Sequence, residues 1–89
     1  MVEKIPYDEI ILGEKESIRK FSKNSEEEEL KWHFDEEDRT VEILENSNWL
    51  FQFDNELPFT MGSPIFIHKG RWHRIIKGED DLIVKIKKH

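Results

Sequence analysis

Apolar and polar positions alternate with a period of two along most of the chain, the spacing of strands whose successive side chains face opposite ways. In residues 39–44, Val41 and Ile43 share one face while Thr40 and Glu42 share the other. Trp49, Phe51 and Phe53 alternate with Leu50 and Gln52 through residues 49–54. Ile65 to Ile67 is a short apolar run, His73 begins another strand with Ile75 on its face, and residues 82–86 form a last one. Near the N-terminus, residues 1–12 read as a loose arm leading into an edge strand at Ile10, Ile11 and Leu12, where Pro6 is tolerable because an edge needs no ladder N–H. A weaker strand follows around Ile18 and Phe21.

Polar turn residues separate these runs: residues 22–25, 35–38, 45–48, 55–58 and 77–81. Gly62 and Gly70 bracket the run at 65–67 and supply positive φ where the chain must reverse. Residues 25–34 carry two signals. Leu30, Trp32 and Phe34 alternate as a strand does, whereas Ser25 with Glu28 has capping-box spacing and Glu26 to Glu29 suit a helix N-terminus. With the strand reading, the chain is all-β: about eight short antiparallel strands in a single domain spanning 1–89, closed as a sandwich or barrel that leaves few free edges.

An 89-residue chain buries only about 60–65% of its unfolded surface, so its core must be dense, and six Phe and three Trp provide the bulk. There is no cysteine, which excludes disulfides, zinc ribbons and thiolate catalysis. A small domain without such staples leans on a metal or a second copy, and a homodimer is the simplest expectation. Twenty acidic against fourteen basic residues give a net charge of −6, the wrong sign for tracking phosphates, so no nucleic-acid partner is expected. No apolar run is long enough to span a bilayer and the first residues lack a signal-peptide core, so no membrane association and a cytoplasmic location are expected.

The candidate chemistry lies at His33, Asp35 and His73. His33 and Asp35 are two apart and on a strand would point the same way, into space that His73 can enter from another strand. Two imidazoles and a carboxylate are the donor set of a three-ligand site with open positions, suited to Fe, Mn, Zn or Ni. Trp49, Phe51 and Phe53 share the parity that would line a pocket beside them. Trp32 and Trp72 each precede a candidate histidine and so face the other way, with Gln52 and Arg74. His68 is expected in solvent and His89 frayed. Of the acidic turn, Asp38 is the residue best placed to reach a metal or Arg39, although for each of its members solvation is the favoured reading. No nucleophilic triad and no Gly-rich phosphate loop is recognisable.

Residues 62–73 resemble the second conserved motif of the cupin superfamily, in which glycine, proline, glycine and histidine recur at fixed spacing. Gly62, Gly70 and His73 match it, and His68 stands at the proline. The first motif is degenerate: His33 matches its first histidine, Asp35 falls at the second, Arg39 at the glutamate and Asn46 at the closing glycine, while Glu27 stands where a glycine precedes. The resemblance covers roughly residues 30–86 and implies a double-stranded β-helix, the cupin jelly-roll barrel. It also implies a mononuclear metal inside the barrel, with His33, Asp35 and His73 as ligands and no organic cofactor. Activities of the superfamily include dioxygenases, isomerases and decarboxylases acting on small acids and sugars. Arg39 departs most, because a guanidinium cannot ligate and competes with a cation for Asp35. Two readings stay open: a three-ligand metal site in which Arg39 holds an anionic substrate, or a metal-free pocket that binds or senses a small molecule through Arg39, Trp49, Phe51 and Phe53. A purely structural domain with a filled interior is a third.

Overall fold

The two longest strands carry the strongest alternation and sit at the centre of the architecture. In the computed structural model, which describes residues 7–25 and 30–89, these are β3 (Arg39–Glu45) and β8 (Leu82–Lys88). The other strands are β1 (Tyr7–Ile11), β2 (Glu16–Phe21), β4 (Leu50–Phe53), β5 (Phe59–Thr60), β6 (Ile65–Ile67) and β7 (His73–Ile76). Among the described residues they form a five-stranded sheet ordered β1-β2-β8-β3-β6 and a three-stranded sheet ordered β5-β4-β7. Every pairing is antiparallel. After β3 the chain crosses to the small sheet for β4 and β5, back for β6, over for β7 and back for β8, as in a jelly roll.

The alternating positions become the shared core. Val41, Ile65, Ile67, Leu82, Val84 and Ile86 of the large sheet and Phe51 of the small one are buried, together with Trp49, Met61 and Leu30 from the segments between strands. Burial of each such side chain is worth about 1.5–3 kcal/mol. The all-β expectation therefore holds, down to the edge position of β1.

Several local expectations are corrected. Residues 30–34 do not form a strand: the segment keeps only one bridge, His33 to His73, at the edge of the small sheet beside β7. Its alternating aromatics do not build a ladder because Trp32 and Phe34 are both exposed rather than packed on a facing layer. The competing helical signal at 26–29, like the arm at 1–6, lies outside the described residues. β5 was not signalled, since two residues cannot display a period. His89 is not frayed: its N–H donates to Asp38 O at 2.9 Å and its Nε2 shares a 2.7 Å hydrogen bond with Thr40 Oγ1.

Of the two bracketing glycines, only Gly70 has positive φ, at 77°. It occupies the third position of the turn closed by Arg71 N–H to His68 O (3.1 Å), as a type II turn requires. Gly62 is outside the left-handed region, and a Cβ there would meet nothing within 4 Å. Gly70→Ala is accordingly expected to cost about 1–2 kcal/mol and Gly62→Ala almost nothing, a contrast that paired urea melts measure.

At the position that the sequence resemblance gives to a glycine, Asn46 clamps a corner. Its Oδ1 accepts Trp49 N–H at 2.9 Å, and its Nδ2 donates to Trp49 O at 3.2 Å and Met61 O at 2.8 Å. Asn48 takes the left-handed conformation (φ 63°), as the turn at 45–48 led one to expect. Gly78 packs directly on the backbone of this turn.

Candidate metal centre

Backbone pairing brings the two histidines together. His33 N–H donates to His73 O at 3.0 Å and His73 N–H to His33 O at 2.9 Å, so the residues face each other across an antiparallel pair and their rings share one side. The imidazole centroids are 4.3 Å apart, edge to face. Two residues on, Asp35 O accepts Gly70 N–H at 2.8 Å, which holds the Asp35 side chain over the same ring pair. The three groups each offer a ligand atom within 4.8 Å of the others.

The orientation of both rings is set by main-chain carbonyls. His33 Nδ1 lies 3.0 Å from Lys31 O, and His73 Nδ1 lies 2.7 Å from Arg71 O. A carbonyl oxygen only accepts, so each Nδ1 carries the proton and each neutral ring presents the bare lone pair of Nε2. This is the outer-sphere arrangement that fixes the tautomer of a metal-ligating histidine. His73 Nε2 faces Asp35 Oδ2 at 3.4 Å, one lone pair against another when the ring is neutral. Such an encounter is favourable only with positive charge between the two atoms, supplied by a proton on Nε2 or by a cation.

Arg39 occupies the other side of Asp35. Its Nη1 lies 3.3 Å from Asp35 Oδ1, while Nη2 donates to Glu37 Oε1 at 3.0 Å. Charge-assisted bonds of this kind are optimal near 2.7–2.9 Å, so Glu37 is the closer partner and Asp35 keeps the oxygen that faces His73. Arg39 Nε is buried without an acceptor among the described residues. Sequence reasoning placed Arg39 beside Asp35, as found, and favoured solvation for each residue of the acidic turn, with Asp38 the best placed of them to reach Arg39. Instead, Asp38 Oδ1 accepts Lys69 N–H at 2.9 Å, and Glu37 takes the arginine. Parity was the available signal, since 35, 37 and 39 fall on one side of an extended chain.

The aromatic lining is part of the same picture, with one correction. Phe51 stacks on His73 at 5.5 Å and 13°, and Phe53 meets the ring edge-on at 6.5 Å. Trp49 has no exposed surface: it packs against Phe21 and its Nε1–H donates to Asp80 O, so it belongs to the core and lines no cavity. Its place just before β4, clamped by Asn46, is what turns it inward. Trp32 and Trp72 lie outside the barrel as parity required, in a surface cleft of about 630 Å³ with Gln52, Asp54, Asn55, Glu56 and Leu57. Its charged and amide groups are mostly engaged, Asp54 and Glu56 with Arg71 and Gln52 with Arg74, whose guanidinium lies 4.8 Å over Trp32. His68 is exposed, as expected.

Two ionisations in the site are displaced. Desolvation is the main cause that lowers the pKa of His33, and the neighbouring His73 adds to it. For Asp35 burial acts upward, but the neighbouring His73 imidazole and the charge of Arg39 outweigh it and the net shift is downward. In both cases the unfolded chain binds protons more readily, so stability is fully present above the ordinary values and is lost as pH falls. Urea midpoints are expected to decline in two stages, the first as pH drops below 6.5 and the second below 3.8. His33→Gln should remove the first stage, and Asp35→Asn should shrink the second, which Glu9, Glu16 and Asp81 share because hydrogen bonds from Arg19, Lys85 and Lys23 lower their pKa values too.

Comparisons with known proteins bear on the frame around this site. No protein-family model matches the sequence, and no curated protein matches it. Solved structures do match the fold. A cupin-2 domain protein from Shewanella frigidimarina is 16% identical with a TM-score of 0.66, over 100% of this chain and 85% of that one. A protein from Neisseria meningitidis is 14% identical with a TM-score of 0.63, over 99% and 89%. A cupin domain from Bordetella pertussis is 15% identical with a TM-score of 0.59, over 100% and 99%.

Proposed function

On the premise of a cupin-type β-barrel, which these structures share with this chain, we propose that the protein binds one divalent metal ion through His33, His73 and Asp35 and uses it to hold a small, anionic organic molecule. The observation that carries this reading is the presentation of the two imidazoles, each tied at Nδ1 to a carbonyl two residues back, with Nε2 of His73 facing a carboxylate oxygen. The residues fit a cation: two neutral nitrogen donors and one oxygen donor are a set that Fe, Mn, Zn and Ni accept. Bound there, the metal would supply Lewis acidity to a substrate oxygen. Arg39 takes the motif position that the resemblance gives to a glutamate, so its guanidinium would orient the negative end of the ligand, and Phe51 and Phe53, packed on His73, would form the apolar wall.

Metal analysis after separate loading with Fe, Mn, Zn and Ni tests the reading. One equivalent of a metal that disappears in His73→Ala supports it, and less than a tenth of an equivalent after all four loadings overturns it.

A second reading is favoured by the unpartnered Arg39 Nε. In it the site holds no metal, a proton on His73 answers Asp35, and Arg39 anchors a carboxylate directly. Thermal stabilisation by succinate or oxalate in chelator, retained in His33→Ala and lost in Arg39→Ala, would distinguish it from the first.

A further inference from the structure

The outer face of the small sheet carries a second constellation, on the side away from the candidate metal ligands. Its side chains lie in two rows. Gln52 and Arg74 are partners in the β4–β7 register, and the Arg74 guanidinium lies 4.8 Å over the ring of Trp32. In the next row Asp54 N–H donates to Trp72 O at 3.0 Å, and Phe34 meets the Trp72 ring edge to face at 4.9 Å. The turn that follows β4 lines the rest of the cleft, whose volume of about 630 Å³ lies within the range of about 300–1,000 Å³ usual for small-ligand sites. Trp32 and Trp72 stay 39% and 45% exposed.

The cleft is held in shape from within the chain. Glu56 N–H closes the turn on Phe53 O at 3.3 Å with Asn55 left-handed at φ 59°, and Gln52 Nε2 donates to Glu56 O at 2.9 Å. Arg71 fixes two carboxylates through one oxygen each, with Nε donating to Asp54 Oδ1 at 2.8 Å and Nη2 to Glu56 Oε2 at 2.6 Å. The second oxygen of each is unspent. Among the described residues Asp54 Oδ2, Glu56 Oε1, the Asn55 side-chain amide and the indole N–H groups of Trp32 and Trp72 have no hydrogen-bond partner.

These groups define the complement. Carboxylate oxygens accept, indole and amide N–H groups donate, and an open indole face takes an apolar surface. Asp54 and Glu56 are matched by Arg71 and Arg74, so the charges in and around the cleft cancel and the ligand they suit is neutral. A phosphate would meet two carboxylate oxygens, and a quaternary ammonium would find a guanidinium already over the Trp32 ring. A pyranose ring has the required form, since its axial C–H bonds make its faces apolar while its hydroxyls donate and accept around the rim.

We propose that this cleft is a saccharide-binding site, in which a pyranose stacks on Trp72 and donates hydroxyl protons to Asp54 Oδ2 and Glu56 Oε1. It is separate from the His33, Asp35 and His73 centre, because Trp72 and His73 are consecutive in an extended chain and face opposite ways. The cleft is open and its bonds compete with water, so the dissociation constant is about millimolar.

The indole N–H resonances of the three tryptophans test this directly. Cellotriose, maltotriose and chitotriose are titrated separately to 10 mM in the presence of chelator. At least one of them is expected to shift the Trp32 and Trp72 signals and to leave that of Trp49, whose Nε1–H is bonded to Asp80 O in the core, in place. Trp72→Ala should weaken that sugar at least tenfold. Asp54→Asn keeps an oxygen for Arg71 Nε and exchanges the free acceptor for a donor. It should weaken binding about fivefold while the melting temperature stays within a few degrees of the wild type, a loss that a merely structural Asp54 would not show. The inference is overturned if none of the three sugars shifts Trp72, if Trp72→Ala binds as the wild type does, if binding appears only when Zn or Mn replaces the chelator, or if choline or inorganic phosphate at 10 mM moves the two signals further than any sugar.

Discussion

Gly78→Ala is expected to lower the melting temperature by about 12–24 °C, the shift that corresponds to about 3 kcal/mol in a domain of this size. A Cβ at this position would lie 2.1 Å from Ser47 O, 2.6 Å from Asn48 C and 2.6 Å from Trp49 Cδ1. None of these neighbours is free to retreat. Ser47 O accepts Glu79 N–H at 2.9 Å, Asn48 is already left-handed, and Trp49 is held by Asn46 and by Asp80 O in the centre of the core. Overpacking in a core costs about 1–3 kcal/mol when side chains can adjust, and here the obstacle is mostly backbone. Gly13→Ala, at a position with nothing within 4 Å, provides the control. A Gly78→Ala melt within 3 °C of the wild type would mean that the turn at 77–81 yields without dragging Trp49.

Arg39→Ala should produce the second large effect, and one that depends on metal. Without added metal the variant is expected to lose about 2–3 kcal/mol, because Asp35, itself 11% exposed at the side chain, is left with a carboxylate oxygen that no cation answers. Glu37 is more exposed and recovers water. Removing the guanidinium also removes the charge that competes with a cation for Asp35, so divalent affinity should rise at least tenfold. Metal at a hundred times its dissociation constant stabilises by about 2.7 kcal/mol, which would restore most of the loss. Thermal melts of wild type, Arg39→Ala and the Arg39→Ala, His73→Ala pair, each with and without Zn or Mn, measure this. Equal metal response in the single and double variants would count against His73 as a ligand.

Much of the frame was legible because alternation is a two-residue rule and most strands here are four residues or longer. β3, β4 and β8 announced themselves through Val41, Phe51 and the apolar run at 82–86, and the parity that His73 shares with Ile75 turned its ring inward. The alternation at 30–34 was equally clean but misleading. Trp32 lines an outer cleft and Phe34 packs edge to face on Trp72, so their period reflects contacts that are not a sheet core. At the site, His33, Asp35 and His73 were brought together as their spacing suggested. Trp49 was misassigned because parity gives the side of a strand and not the depth at which a side chain ends. Gly78 and Asn46 were invisible for a different reason: both act between segments about 15 to 31 residues apart, and nothing local marks a glycine as touching a distant carbonyl.

The lone bridge that joins His33 to His73 has a kinetic meaning. Two backbone hydrogen bonds hold one candidate ligand against the other, and among the described residues they form an isolated bridge, with Gly70 N–H to Asp35 O two residues on and no continuous ladder. Releasing His33 therefore costs about 1–3 kcal/mol, whereas freeing Val41 requires opening the central sheet and approaches the full stability of about 5–10 kcal/mol. One ligand can depart and return many times within the lifetime of the folded barrel. Exchange of whatever the site holds would be timed by this clasp and not by unfolding of the protein around it.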